Sequence, residues 1–414
     1  MKKDSLFALS VFWFAWEVHW GALLGAAIQG QVARFAPADF IGTSTAILTG
    51  SGAAFSILAQ YGAGRLSDKI GRRMPFIILG TLLDIVALFG FALSPSFLVV
   101  VLAFAGVQIS LNVACGPYQA LMPDRVEKAA RGRASAYLGL FRLAGSAVGL
   151  LLGKIFVHQP GPHVTSAIFT NGLLRLAAVV SVILLVTLVI TVLGVSDKRP
   201  SRERESATIA PWPERSSFGW LIASRAAVSM GLYLILPYFA FYLRFAQHVP
   251  DYLSKSLTLL LVMTGCALIG TVPAGILGDR VPKKSIIYGA LALLALGAAS
   301  LCFITTPTKL LPLAIVLGIG WGAYYSVDWA LACMLLPAGR AGALMAIWNI
   351  GASAPQVAVQ LLGGPLVDKA GAITHDLGFG YRLLFGLVAV FVTLGAAGLA
   401  FVREPRAGLE RRTG

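Results

Sequence analysis

Gly64-Arg65-Leu66-Ser67-Asp68-Lys69-Ile70-Gly71-Arg72-Arg73 separates two long apolar runs, one over about residues 41–63 and one beginning at Pro75. A connection this short makes the flanking helices antiparallel neighbours. Gly64 and Gly71 permit a tight turn and close backbone approach. Asp68 suits a helix N-terminus or a neighbouring arginine, and Arg72 and Arg73 belong in cytosolic water. Half a chain later comes a degraded copy, Gly275-Ile276-Leu277-Gly278-Asp279-Arg280-Val281-Pro282-Lys283-Lys284. Gly64 and Gly275, Asp68 and Asp279, and Arg73 and Lys284 are related by one constant offset. A half-length repeat in a loop between apolar runs points to two similar membrane-embedded halves.

Composition agrees. The chain has 414 residues, 57% hydrophobic and 12% charged, against about 25% charged in soluble domains. Apolar stretches of about 20 residues without strict alternation read as transmembrane helices, not barrel strands. The formal net charge of +15 invites a nucleic-acid reading, but the basic residues cluster in alternate loops and report topology instead. Cys115, Cys266, Cys302 and Cys333 all lie in apolar segments without a C-x-x-C pair, so they read as packing residues. The first apolar run, after Met1-Lys2-Lys3-Asp4, is too long for a signal peptide and reads as a retained helix.

Twelve spans are expected, centred on 9–32, 42–63, 75–94, 97–121, 134–156, 171–195, 217–244, 256–277, 285–305, 310–336, 341–367 and 381–402. The fold class is an all-α polytopic membrane protein of two pseudo-symmetric six-helix halves, 1–196 and 217–414, joined by a charged, proline-rich cytoplasmic linker over 197–216. Lys2, Lys3, Arg65, Lys69, Arg125, Arg131, Arg133, Lys198 to Arg215, Arg280, Lys283 and Arg403 onward fall on one side. Both termini are therefore expected in the cytoplasm, with the protein in the cytoplasmic membrane. A second repeat supports the halves: Gly132-Arg133-Ala134 opens the fifth span and Gly339-Arg340-Ala341 the eleventh.

The loop Gly64–Arg73 resembles the G-x-x-x-D-x-x-G-R-R signature of the major facilitator superfamily, and the likeness extends over the whole chain. It implies a twelve-helix transporter in which helices 1, 4, 7 and 10 line the cavity, 2, 5, 8 and 11 gate it, and 3, 6, 9 and 12 support it. A narrower resemblance, to sucrose-transporter-like and glycoside–cation symporters, rests on Gly116-Pro117-Tyr118-Gln119-Ala120 through Asp124, on Arg131-Gly132-Arg133-Ala134 and on Gly71 to Phe76. Gln119 stands where those relatives carry arginine.

Ionisable groups deep in the apolar runs each need a reason, since one at mid-bilayer costs about 2.5–3.5 kcal/mol on insertion scales. Five qualify: Glu17, Asp84, Arg142, Arg225 and Asp328. At about 1.5 Å per residue they share one depth, where Glu17, Arg142 and Asp328 are expected to meet. Pairing every arginine leaves one carboxylate over, and an unpaired carboxylate in low dielectric favours its protonated form. That suits a proton-coupled carrier or a structural carboxylic acid. Trp20, Tyr324, Trp329 and Trp348 offer flat faces, and Asn112, Gln119 and Asn349 offer amides, a combination suited to sugar rings. His19 faces away from Glu17, as a packing histidine or, alternatively, a proton relay.

No G-x-S-x-G turn, HExxH or phosphate-binding loop occurs, so no enzyme and no ATP-driven pump is expected. The expected protein is a monomeric alternating-access transporter without a cofactor, driven by H+, whose partners are a small-molecule solute and the lipid bilayer, not nucleic acid. Symport of a sugar or glycoside is favoured, with proton-coupled export of amphipathic or cationic compounds as the alternative. Gly64, Asp68, Gly71, Arg72, Arg73, Asp279 and Arg280 are assigned to a conformational latch.

Overall fold

The computed structural model describes residues 5–126, 131–161, 163–197, 212, 214–278, 280–336 and 341–404. Twelve long helices account for nearly all of them. They are α1 (Leu6–Phe35), α2 (Ile41–Ile70), α3 (Met74–Ala92), α4 (Phe97–Arg125), α5 (Arg131–Phe156) and α6 (Ser166–Gly194). After the linker follow α7 (Arg215–Phe245), α8 (Tyr252–Gly278), α9 (Lys283–Phe303), α10 (Leu310–Met334), α11 (Ala341–Thr374) and α12 (Leu377–Leu399). Eleven are long and apolar enough among the described residues to cross a membrane, and α11 has the length to do so. In hydrocarbon every backbone polar group needs an internal partner, which is why apolar runs of this length are helical.

The helix ends follow their sequences. Ser5 caps α1 by accepting from the Ala8 amide, and Thr165 caps α6 by accepting from Ile168. Gly71 ends α2 with φ 78°, a conformation costly for any residue with a Cβ. α1 contains one wide π turn over Leu23–Ala27. Gln29 Nε2 donates to the Leu24 carbonyl in that turn at 2.6 Å.

The chain forms two compact units. The first comprises Met1–Glu203 with Leu236–Leu261 and Gln360–Tyr381. It contains α1 to α6, the C-terminal ends of α7 and α11, and the N-terminal ends of α8 and α12. Its core is built from α1 on α5 and α6, α3 on α4 and α6, and α2 on α4. The second comprises Arg204–Ile235, Val262–Val359 and Arg382–Gly414, with α9 on α10 as its main pairing. Segments of four later helices, α7, α8, α11 and α12, thus pack with the first six.

Those segments are bonded into the first unit. Asp368 of α11 accepts from the Gly42 and Thr43 amides of α2 at 2.9 and 2.6 Å. Gly364 lies so close to Gly42 that a methyl group there would strike its carbonyl. Gln159 donates to the Pro250 carbonyl and accepts from the Leu253 amide, while Lys154 reaches Thr258.

Candidate functional site

Small residues position the charges of the first unit. A methyl group on Gly145 would strike the Phe14 carbonyl, one on Gly149 the Val18 carbonyl, and one on Gly21 would lie 2.7 Å from the Ser146 carbonyl. The backbones of α1 and α5 therefore touch, as small-residue helix crossings in membranes do. Arg142, one turn before Gly145, is laid against Glu17 with Nε 2.6 Å from Oε1. Its guanidinium carbon sits 5.1 Å from the centre of the Trp13 ring, within cation–π range. Trp13, Trp16 and Trp20 continue along α1 with ring centres 6.0 and 6.1 Å apart. Tyr118 of α4 packs on Trp13 and donates to the Leu9 carbonyl at 2.7 Å.

Asp84 lies elsewhere in the same unit. Its Oδ2 is 3.4 Å from His19 Nε2, and neither side chain has any exposure. His19 also meets the Trp20 ring edge-on at 4.8 Å. The carboxylate left over in the charge count is thus Asp84, and its neighbour is the histidine whose alternative reading was a relay. A period of 3.6 residues explains this: Glu17 turns to α5 and His19 to α3.

The second unit holds the remaining pair. Arg225 Nη1 donates to Asp328 Oδ2, and its guanidinium carbon lies 3.5 Å from the centre of the Trp348 ring. Tyr324, one turn from Asp328, is buried beside them. Asp328 is therefore paired within the second unit, with Arg225. Trp329 presents its indole on the surface of the unit, 44% exposed against 1% for Asp328, so the two neighbours do not share a face.

Exposure separates the three pairs. The side chains of Arg142 and Glu17 are 35% and 18% exposed. Those of Arg225 and Asp328 are 9% and 1%, and His19 with Asp84 is sealed. Among them, only Glu17–Arg142 can be reached by a solute without dismantling a core. Asn112 is buried and donates to the Gln108 carbonyl of its own helix at 2.8 Å, whereas Gln119 is exposed, donating to Cys115 Sγ at 3.1 Å and accepting from Gln60 of α2. The Asn349 side chain and Asp279 lie outside the described residues.

At the loop between α2 and α3, Asp68 pairs with Arg73 at 2.6 Å, and Arg73 also donates to Ser67. Arg72 and Arg280 are exposed. A residue not anticipated from the sequence completes the loop. Asp197, just beyond α6, accepts from the Arg73 and Met74 amides at 2.8 and 3.0 Å and so caps α3. Glu404, just beyond α12, does the same for α9 through the Lys283 and Lys284 amides at 2.8 and 3.2 Å. The signal was available as an acidic residue at matching places after the sixth and twelfth spans, but its target is distant in sequence.

No curated protein matches the chain. Among solved structures it is similar in fold to a bacterial homologue of the human lysosomal transporter Spinster in an inward-facing, unoccupied conformation. That match has TM-score 0.75 and 15% identity, covering 95% of both chains. It is also similar to a D-xylose–proton symporter (TM-score 0.72, 14% identity, 96% and 97% covered) and to the nucleoside transporter NupG (TM-score 0.70, 11% identity, 96% and 99% covered). A sequence profile of the Major Facilitator Superfamily matches residues 5–359; with twelve helices and the repeated Gly64 and Gly275 loops, this establishes that the chain belongs to that superfamily and is a membrane transporter, not an enzyme.

Proposed function

We propose that the protein is an alternating-access, proton-coupled symporter of a small polar solute, with sugars or glycosides the favoured class. The observation that carries this reading is the Glu17–Arg142 pair, partly open, with Trp13 against the guanidinium and Trp16 and Trp20 continuing from Trp13 along α1. A carboxylate and a guanidinium offer acceptors and donors to hydroxyl groups, and indole faces suit the apolar faces of sugar rings. The D-xylose–proton symporter of the same fold lends the solute class general support. An exporter of cationic amphiphiles would need a carboxylate available to its cargo, whereas Glu17 is engaged by Arg142 and Asp328 by Arg225. The placement of the basic residues supports a cytoplasmic-membrane protein with both termini in the cytoplasm, and a monomer is part of the proposal.

The test is uptake of radiolabelled sugars and glycosides into proteoliposomes, with and without an imposed pH gradient. Gradient-dependent accumulation of at least one sugar, lost in Glu17→Gln, is expected. No gradient dependence for any of them, with Glu17→Gln behaving as the parent, contradicts the proposal.

A further inference from the structure

We infer that His19 and Asp84 form the proton-binding site of this transporter. The inference rests on the uptake reading above only in making the proton the coupling ion. Its evidence is separate, being a titratable pair that the proposed solute site does not use.

The pair has no fixed cation. Asp84 Oδ2 lies 3.4 Å from His19 Nε2, longer than a well-made hydrogen bond, with both side chains fully buried. Ser110 approaches Asp84 Oδ1 at 3.4 Å but is closer to the Gly106 carbonyl at 2.7 Å. His19 Nδ1 and Asp84 Oδ2 are buried without a hydrogen-bond partner. Charged groups on the surrounding helices are committed or distant. Glu17 of α1 and Arg142 of α5 hold each other. Within the membrane α3 offers only Asp84 and α4 none, Arg73 is tied to Asp68 at the start of α3, and Arg175 of α6 is exposed while the pair is sealed.

The proton balance of the pair is therefore its own. With Asp84 ionised and His19 neutral, it carries one buried negative charge. One proton taken from water onto His19 Nε2 or Asp84 Oδ2 cancels that charge and supplies the missing hydrogen for a shorter contact. Releasing it to the other side restores the first state. Glu17 and Asp328 differ, because each already faces an arginine, and protonating either would strand a guanidinium. Placement on α1 links the proton to the solute. Glu17 and His19 are two residues apart and tied to opposite neighbours, α5 and α3. A shift of α1 when a solute engages Glu17–Arg142 must change the His19–Asp84 distance. The wide turn at Leu23–Ala27 lies just beyond Trp20, where π turns let a helix change register.

The test that needs no solute is NMR of full-length protein labelled with 15N-histidine, which has five histidines, with His19 assigned by its loss in His19→Gln. The His19 ring signals are expected to change with pH in the parent, and Asp84→Asn to alter that response. A parent His19 that holds one state throughout overturns the inference. Should Asp84→Asn fail to fold, infrared difference spectra of the parent must show a pH-dependent carboxyl band that His19→Gln moves; a band unmoved by that substitution overturns it equally. In proteoliposomes, for any sugar the parent accumulates, both variants should lose gradient-driven accumulation, the final ratio falling to equal concentrations, with a flat pH profile. Variants that accumulate like the parent refute the proton site and leave the uptake reading standing. A parent that accumulates no sugar removes the uptake reading, while the His19 titration still decides whether the pair binds a proton.

Discussion

Asp368→Ala tests how α11 is held to the start of α2. α2 begins at Ile41, and its N-cap, Phe40, has no side chain able to accept a hydrogen bond. The first amides of any helix lack partners inside it. Here Gly42 and Thr43 donate instead to Asp368 of α11, at 2.9 and 2.6 Å. Losing an N-cap costs about 1 kcal/mol, and hydrogen bonds to charged groups contribute about 1.5–3 kcal/mol each. Water replaces part of this when a half-exposed contact opens, so removing both bonds should cost about 1.5–2.5 kcal/mol, a factor of about 10–70 in the closed-to-open ratio. Asp368→Asn keeps one acceptor and loses the charge–dipole attraction, about 0.3–1 kcal/mol, so its shift should be several-fold smaller. The assay is pulsed electron–electron spin resonance between nitroxides on Ala38→Cys and Ala372→Cys. Both positions are exposed, near the start of α2 and the end of α11, and the four native cysteines, all free, would be replaced. A longer-distance population should grow in Asp368→Ala. Distance distributions that superimpose on the parent's would refute the reasoning, because the contact would then contribute nothing to closure.

Three further outcomes follow from the other pairs and caps. Arg225→Leu leaves Asp328 as a buried lone charge and should destabilise the protein by about 3–5 kcal/mol, with adding Asp328→Leu restoring most of the loss; thermal unfolding of a double variant no more stable than the single one speaks against a buried ion pair. Asp197→Ala removes the cap of α3 and should cost about 1 kcal/mol, seen as a lower Tm, whereas Asp197→Asn should stay within a few tenths; equal Tm values for parent and Asp197→Ala count against the cap. Asp68→Asn breaks an ion pair whose carboxylate is 56% exposed, so stability should change by less than about 1 kcal/mol while turnover slows and solute affinity holds. Lost affinity with normal turnover contradicts a latch role for Asp68.

The sequence by itself determined the membrane class, the number of helices and the repeated loops. These depend on local features: runs of apolar residues long enough to span a bilayer, glycines at tight turns, and basic residues that stay in water. It also identified every deep charge, since an ionisable residue within an apolar run stands out without any structure. Partner choice was not legible. Glu17 takes Arg142 because Gly21, Gly145 and Gly149 bring two backbones into contact, and Asp84 takes His19 because residues two apart on a helix face opposite neighbours. Asp328 takes Arg225, and Trp329 turns away from it, for the same rotational reason. The caps supplied by Asp197, Asp368 and Glu404 were equally hidden, since their target amides lie over a hundred residues away. Hydropathy and spacing act along the chain, whereas which charge neutralises which is decided by helix rotation and crossing, and those exist only once the helices have packed.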